Sequence, residues 1–165
     1  MIYLDYQATT PLAPEARDAM LRWLDGPGGT GFGNPHSAHR MGRQAKAAVE
    51  LARDQVAALF PAGGKIVFTS GATEARNLAI RVSGRGGTVS YSAIEHSAVG
   101  DTARAAESSH VLNVAKDGQC NTRQEVPDDT RLICVMQVNN EIGTIQPTIE
   151  WHRKAKENNA LFLCD

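Results

Sequence analysis

Four short segments carry residue types able to do chemistry together. Thr69-Ser70-Gly71-Ala72-Thr73-Glu74 lies between an apolar run and a helical pattern. Backbone N–H groups at a helix start, the helix dipole and the hydroxyls of Ser70 and Thr73 can hold a phosphate there. Taken alone, the segment is better explained as an ordinary helix cap. It is neither a Walker loop nor a dinucleotide fingerprint. Glu95-His96 follows the run Val89-Ser90-Tyr91-Ser92, where a histidine could stack on a flat ring, move a proton, or cap the next helix. Val138-Asn139-Asn140-Glu141-Ile142-Gly143 offers two amides and a carboxylate, in a composition that also suits a turn. Asp165 follows Leu161-Phe162-Leu163-Cys164, and a carboxylate there could pair with a cationic ligand nitrogen or face solvent.

The elements that must position these residues follow from hydropathy patterning. Helical spacing is expected over residues 14–25, from Met41 to Leu59, and over 74–82, 96–107 and 148–158; Pro61 stops the second of these. Continuous apolar runs predict strands at 66–69, 88–92, 111–114, 132–138 and 161–164. Such strands, alternating with amphipathic helices, define an α/β fold: a three-layer sandwich with a mainly parallel sheet. Ligands of open parallel sheets bind beyond the carboxyl ends of the strands. A phosphate-type turn, a histidine, an amide pair and an acid, each beyond a different strand, would then share one sheet edge. That set suits a phosphorylated aromatic cation.

With 165 residues, 42% of them hydrophobic and 21% charged, the chain can build a core. A net charge of −1 gives no reason to expect nucleic acid or an anionic membrane as partner. No apolar run is long enough to span a bilayer, and the start lacks the pattern of a signal peptide, so a cytoplasmic location is expected. Cys120, Cys134 and Cys164 lack metal-ligand spacing and read as free thiols, with Cys120 the exposed one and the other two inert in core strands.

The same segments, in order, resemble the cysteine desulfurases of the class V aminotransferase group, within the fold-type I pyridoxal-phosphate (PLP) enzymes. The resemblance also rests on Tyr3-Leu4-Asp5-Tyr6-Gln7-Ala8-Thr9-Thr10-Pro11, Gly33-Asn34-Pro35-His36-Ser37-Ala38-His39, Asn77 and Gln146-Pro147. It implies residues 1–13 as a segment of the small domain and 14–165 as the first part of the PLP-binding large domain, incomplete at its C-terminus. It implies pyridoxal 5′-phosphate as cofactor, with Ala72 and Thr73 on the phosphate, His96 stacked on the ring and shuttling protons, Asn140 near the ring hydroxyl and Asp165 on the pyridine nitrogen. An acid there keeps the ring cationic and a better electron sink. It further implies L-cysteine as substrate, alanine and an enzyme persulfide as products, a sulfur-acceptor protein in iron–sulfur assembly or thiolation, and a homodimer to which segments 26–33 and 34–42 contribute. A selenocysteine lyase, another class V aminotransferase and a non-catalytic fragment are the alternatives. The family's Schiff-base lysine, set in a Ser/Thr–His–Lys context, is not among Lys46, Lys65, Lys116, Lys154 and Lys156. Of these, Lys46, Lys154 and Lys156 read as solvated helix positions. The expectation is therefore a chain inactive alone, poorly covered beyond 161–164 and prone to self-associate.

Overall fold

The computed structural model describes residues 2–6, 8–24, 26 and 31–165. The chain divides into two compact units, residues 1–68 and 69–165. Much of the 26–33 loop lies outside the described residues.

The first unit carries α1 (Pro14–Leu24) and α2 (Arg40–Ala57). Pro14 opens α1, where its missing N–H costs nothing. His39 caps α2 by accepting a hydrogen bond from the Gly42 N–H at 3.2 Å. Gly42 is required by close approach, since a Cβ would lie 2.2 Å from the Ser37 carbonyl oxygen. The strand expected at 66–69 does not form. Val67 and Phe68 are exposed, and Arg53 holds this stretch by donating to the Ile66 carbonyl and lying over the Phe68 ring.

The second unit is a βα array: α3 (Ala72–Ser83), β1 (Thr88–Ser92), α4 (Ser97–Arg104), β2 (Ser108–Leu112), β3 (Thr130–Cys134), α5 (Thr148–Glu157) and β4 (Leu161–Leu163). All three strand pairings are parallel, and the order is β2-β1-β3-β4. The 3- and 5-residue strands alternate their side chains between the two faces of the sheet, and the inner strands β1 and β3 are the covered ones. Val89, Tyr91, Leu132 and Cys134 pack with Ile80 of α3 and with Val99 and Ala103 of α4. Leu112, Ile133 and Val135 pack on the opposite face with Trp151 and Ala155 of α5, joined by Cys120 and Val126. This is the expected three-layer sandwich.

Two details differ from expectation. Strand β2 begins three residues earlier than the apolar pattern suggests, at polar Ser108, because edge pairing to β1 sets its register rather than burial. Cys120 is buried, at 1% exposure, because the 113–124 excursion folds back through a Val114–Cys120 bridge beneath α5. Cys164, just past edge strand β4, is the exposed thiol.

Candidate functional site

Strand order places a topological switch point between β1 and β3. The β1–α4–β2 connection leaves in one direction and β3–α5–β4 in the other. A crevice opens at the carboxyl ends of such a pair. The loops after β1 and β3 border it, with β4 beside β3.

Helix α3 starts at Ala72, and its N-cap, Gly71, provides no side-chain cap. The first-turn N–H groups at Ala72 and Thr73, both exposed, are therefore left uncapped by that residue. Just before them, the Ser70 N–H and hydroxyl both donate to Glu74 Oε2, at 2.6 and 2.5 Å. The Ser70 hydroxyl, then its N–H, hold the Glu74 carboxyl below its ordinary value. The turn thus already gathers an anionic oxygen, supplied by its own chain.

His96 is the N-cap of α4: its Nδ1 accepts from the Ala98 N–H at 3.1 Å. The cap leaves the neutral ring its proton on Nε2 and makes Nε2 the nitrogen available for proton exchange. The histidine-cap reading is thus realised without preventing a second role.

Asn140 is exposed and donates to Glu141 Oε1. Its neighbour Asn139 is buried and organises the loop. Asn139 Nδ2 donates to the Ile94 carbonyl at 2.9 Å, and Oδ1 accepts from the Glu141 and Ile142 N–H groups.

Asp165 lies past β4, where its carbonyl accepts from the Gln137 N–H and prolongs the β3–β4 ladder. Its carboxylate approaches Arg76 Nε at 2.8 Å, with both side chains about four-fifths covered. The Arg76 N–H is not directed at that oxygen, and Nε has no hydrogen-bond acceptor. The contact is one of charge rather than of directed bonding.

Three residues that the sequence reading left without roles tie the site together. Glu95 Oε1 accepts from the Ser92 hydroxyl at 2.6 Å and from the Met136 N–H at 2.7 Å, joining the β1 exit to the β3 exit. Glu95 Oε2 is buried without a partner. Burial raises the Glu95 pKa above its ordinary value and the Asp165 charge adds to the rise, whereas the two hydrogen bonds and Arg76 oppose it. Asn77 joins α3 to α4: its Oδ1 accepts from the Thr102 hydroxyl and its Nδ2 donates to the Thr73 carbonyl. Arg76 joins α3 to the end of β4. The elements bearing Ala72, Thr73, His96, Asn140 and Asp165 are therefore connected to one another by side-chain and backbone bonds.

No thiol here is activated. Burial pushes Cys120 up to about 12 and raises Cys134 further; Cys164 is raised as well, first by burial and then by the charges of Glu95 and Asp165. Protonated thiols are poor nucleophiles. Lys154, expected in solvent, is half-buried and donates to the Thr122 and Gln124 carbonyls.

The residues present fit a phosphorylated pyridine. The uncapped α3 terminus and Ser70 suit the phosphate, and Asp165 suits a ring cation. Among the described residues, three buried side-chain atoms lack partners: Arg76 Nε, Glu95 Oε2 and Trp151 Nε1. Two of them belong to the cluster around Asp165, as in a polar site awaiting another group.

The parallel sheet with helices on its faces is the α/β fold of the fold-type I PLP enzymes. The aminotransferase class-V family model matches residues 2–165, and the chain belongs to that family, whose enzymes use pyridoxal 5′-phosphate. It is 43% identical to a mitosomal cysteine desulfurase of Trachipleistophora hominis, over 99% of this chain and 40% of that protein. A NifS-like protein from Rickettsia africae superposes with a TM-score of 0.85 at 30% identity, covering all of this chain and 47% of that one. SspA, solved in complex with cysteine, gives 0.85 at 30% identity, over 99% of this chain and 50% of the other. The chain thus spans about half the length, or less, of the proteins it matches.

Proposed function

We propose that these residues form the cofactor-holding part of a PLP-dependent cysteine desulfurase. The observation that carries the reading is the linked crevice at the β1/β3 switch point, with an uncapped helix N-terminus and a carboxylate both tied to α3. The names of the matched relatives and the cysteine bound to SspA support L-cysteine as the substrate class.

In this reading the Ala72 and Thr73 N–H groups and the nearby hydroxyls bind the phosphate, with Glu74 giving up its hold on Ser70. Asp165 would pair with the ring nitrogen and favour its protonated form. Asn140 would serve the ring hydroxyl. His96, fixed by its cap, would stack on the ring and exchange a proton at Nε2. When bound, the cofactor supplies an electron sink for breaking bonds at the substrate's Cα and Cβ. The raised thiols and the settings of the five lysines leave the amine that bonds to the cofactor, and the sulfur-accepting cysteine, to residues outside these 165. The homodimer, the sulfur-acceptor protein and service to iron–sulfur assembly are parts of the same proposal.

Equilibrium dialysis with pyridoxamine 5′-phosphate tests the reading. The chain should bind this probe, inorganic phosphate should compete, and Thr73→Val should weaken binding with the fold intact. With added PLP, the 165 residues should release neither sulfide nor alanine from L-cysteine. Probe binding indifferent to both phosphate and Thr73→Val would refute the reading.

A further inference from the structure

We propose that Arg76 is a positioning residue for Asp165, so that α3 sets both polar ends of the cofactor site; this rests on the function proposed above. Helix α3 presents its uncapped N–H groups at Ala72 and Thr73. One turn later, about 5 Å along the axis, the same helix carries the guanidinium that meets the Asp165 carboxylate at 2.8 Å. A helical turn is rigid. Arg76 thereby ties the acid proposed for the ring nitrogen to the helix that bears the phosphate-binding end, although the acid lies just past β4, 89 residues further along the chain than Arg76.

The electrostatics of the cluster call for such a cation. Asp165 shares its surroundings with Glu95, whose carboxyl is raised in part by the Asp165 charge and lowered by Arg76. Two carboxyl groups and one guanidinium form the cluster. Arg76 is the cation that meets the Asp165 carboxylate, against the like charge of Glu95. The Arg76–Asp165 contact is charge-based and not directed, and Arg76 Nε and Glu95 Oε2 both lack hydrogen-bond partners. Arg76 thus fixes where the carboxylate lies without occupying it as a saturated bidentate pair would. The oxygen remains able to accept from a ring N–H.

A purely structural role for Arg76 would move two properties together that a positioning role moves apart. Binding of a ligand with both phosphate and ring nitrogen should depend on Arg76, whereas binding of phosphate alone should not. The test measures the affinity of the full chain for pyridoxamine 5′-phosphate and for inorganic phosphate, in the wild type, Arg76→Gln, Arg76→Lys, Asp165→Asn and the double variant Arg76→Gln/Asp165→Asn. Arg76→Gln should weaken pyridoxamine phosphate about tenfold and change inorganic phosphate by less than about twofold, and Arg76→Lys should recover part of the loss. The double variant should bind no worse than Asp165→Asn, because the arginine acts through the acid. Arg76→Lys also reports if the glutamine variant fails to fold, since it keeps the charge and loses the Nε contact. Unchanged pyridoxamine phosphate affinity in Arg76→Gln, or additive losses in the double variant, would overturn the proposal while Thr73→Val and Asp165→Asn still upheld the cofactor site. Equal affinity of the wild type for the two probes, with no effect of Asp165→Asn, would remove the cofactor site and this proposal together.

Discussion

Glu95 is where a single substitution should most disturb the crevice without touching a proposed cofactor contact. Its Oε1 satisfies the Ser92 hydroxyl and the Met136 N–H, and both of those residues are buried. Glu95→Ala strands both donors. Each stranded buried group costs about 1–3 kcal/mol. Removing the unpartnered Oε2 returns about 1–2 kcal/mol of that, so a net loss of about 1–4 kcal/mol is expected. Glu95→Gln keeps an acceptor oxygen in place and should cost less than about 1 kcal/mol near pH 5. The pH dependence then separates the two carboxyl states. Burial, the largest cause, raises the Glu95 pKa above its ordinary 4.5. A group raised in the folded state contributes stability that is fully present below its unfolded value and is lost as pH rises through its folded value. Wild type should therefore lose stability relative to Glu95→Gln as the pH climbs from about 4.5. Urea unfolding followed by Trp151 fluorescence, in a Trp23→Phe background, reads both effects, since Trp151 is fully buried in the second unit. A Glu95→Ala variant within about 0.5 kcal/mol of wild type would refute the clamp, a threshold set below the cost of one stranded donor. A Glu95→Gln variant that parallels wild type at every pH would refute the raised carboxyl.

Further expectations follow from the topology. Amide exchange should be slowest in β1 and β3, the inner strands, and faster in edge strands β2 and β4; faster exchange in β3 than in β4 would contradict the strand order. A thiol reagent at neutral pH should label Cys164 first, with Cys120 and Cys134 reacting only on unfolding. Labelling of native Cys120 ahead of Cys164 would mean that the 113–124 excursion does not pack under α5.

The layered fold was legible because the runs expected to be strands alternate with amphipathic helices: β1 and β4 fall on or within their runs, whereas β3 begins two residues before its run and ends at Cys134, with Thr88, Ser90 and Ser92 of β1 buried as polar residues. The same criterion failed at 66–69. A short apolar run has no period to show whether a sheet receives it, and here Arg53 covers part of it instead. Strand β2 was displaced because an edge strand can be polar where it pairs. The burial of Cys120 escapes the sequence for a related reason: a polar neighbourhood in sequence does not reveal a chain that turns back under a helix. For the site, the motif residues named in sequence lie on elements that converge, but the groups joining them were not readable. Glu95 meets Met136 across 41 residues and Asn139 meets Ile94 across 45. Such pairings exist only once the topology has brought β1 beside β3. Asn140 and Asn139 are indistinguishable as letters, and burial alone separates the exposed amide from the one that builds the loop.

One crevice, at the carboxyl edge between β1 and β3, should receive a phosphorylated pyridine. Amide chemical-shift mapping of the 165-residue chain on addition of pyridoxamine 5′-phosphate is the decisive measurement. Shifts should concentrate at residues 70–74, 96–98 and 139–140 and at Asp165, with inorganic phosphate reproducing only those at 70–74. Residues 86–88 and 127–130, at the opposite edge of the sheet, should not move. Shifts confined to that opposite edge, or a phosphate response as broad as that to pyridoxamine phosphate, would contradict it.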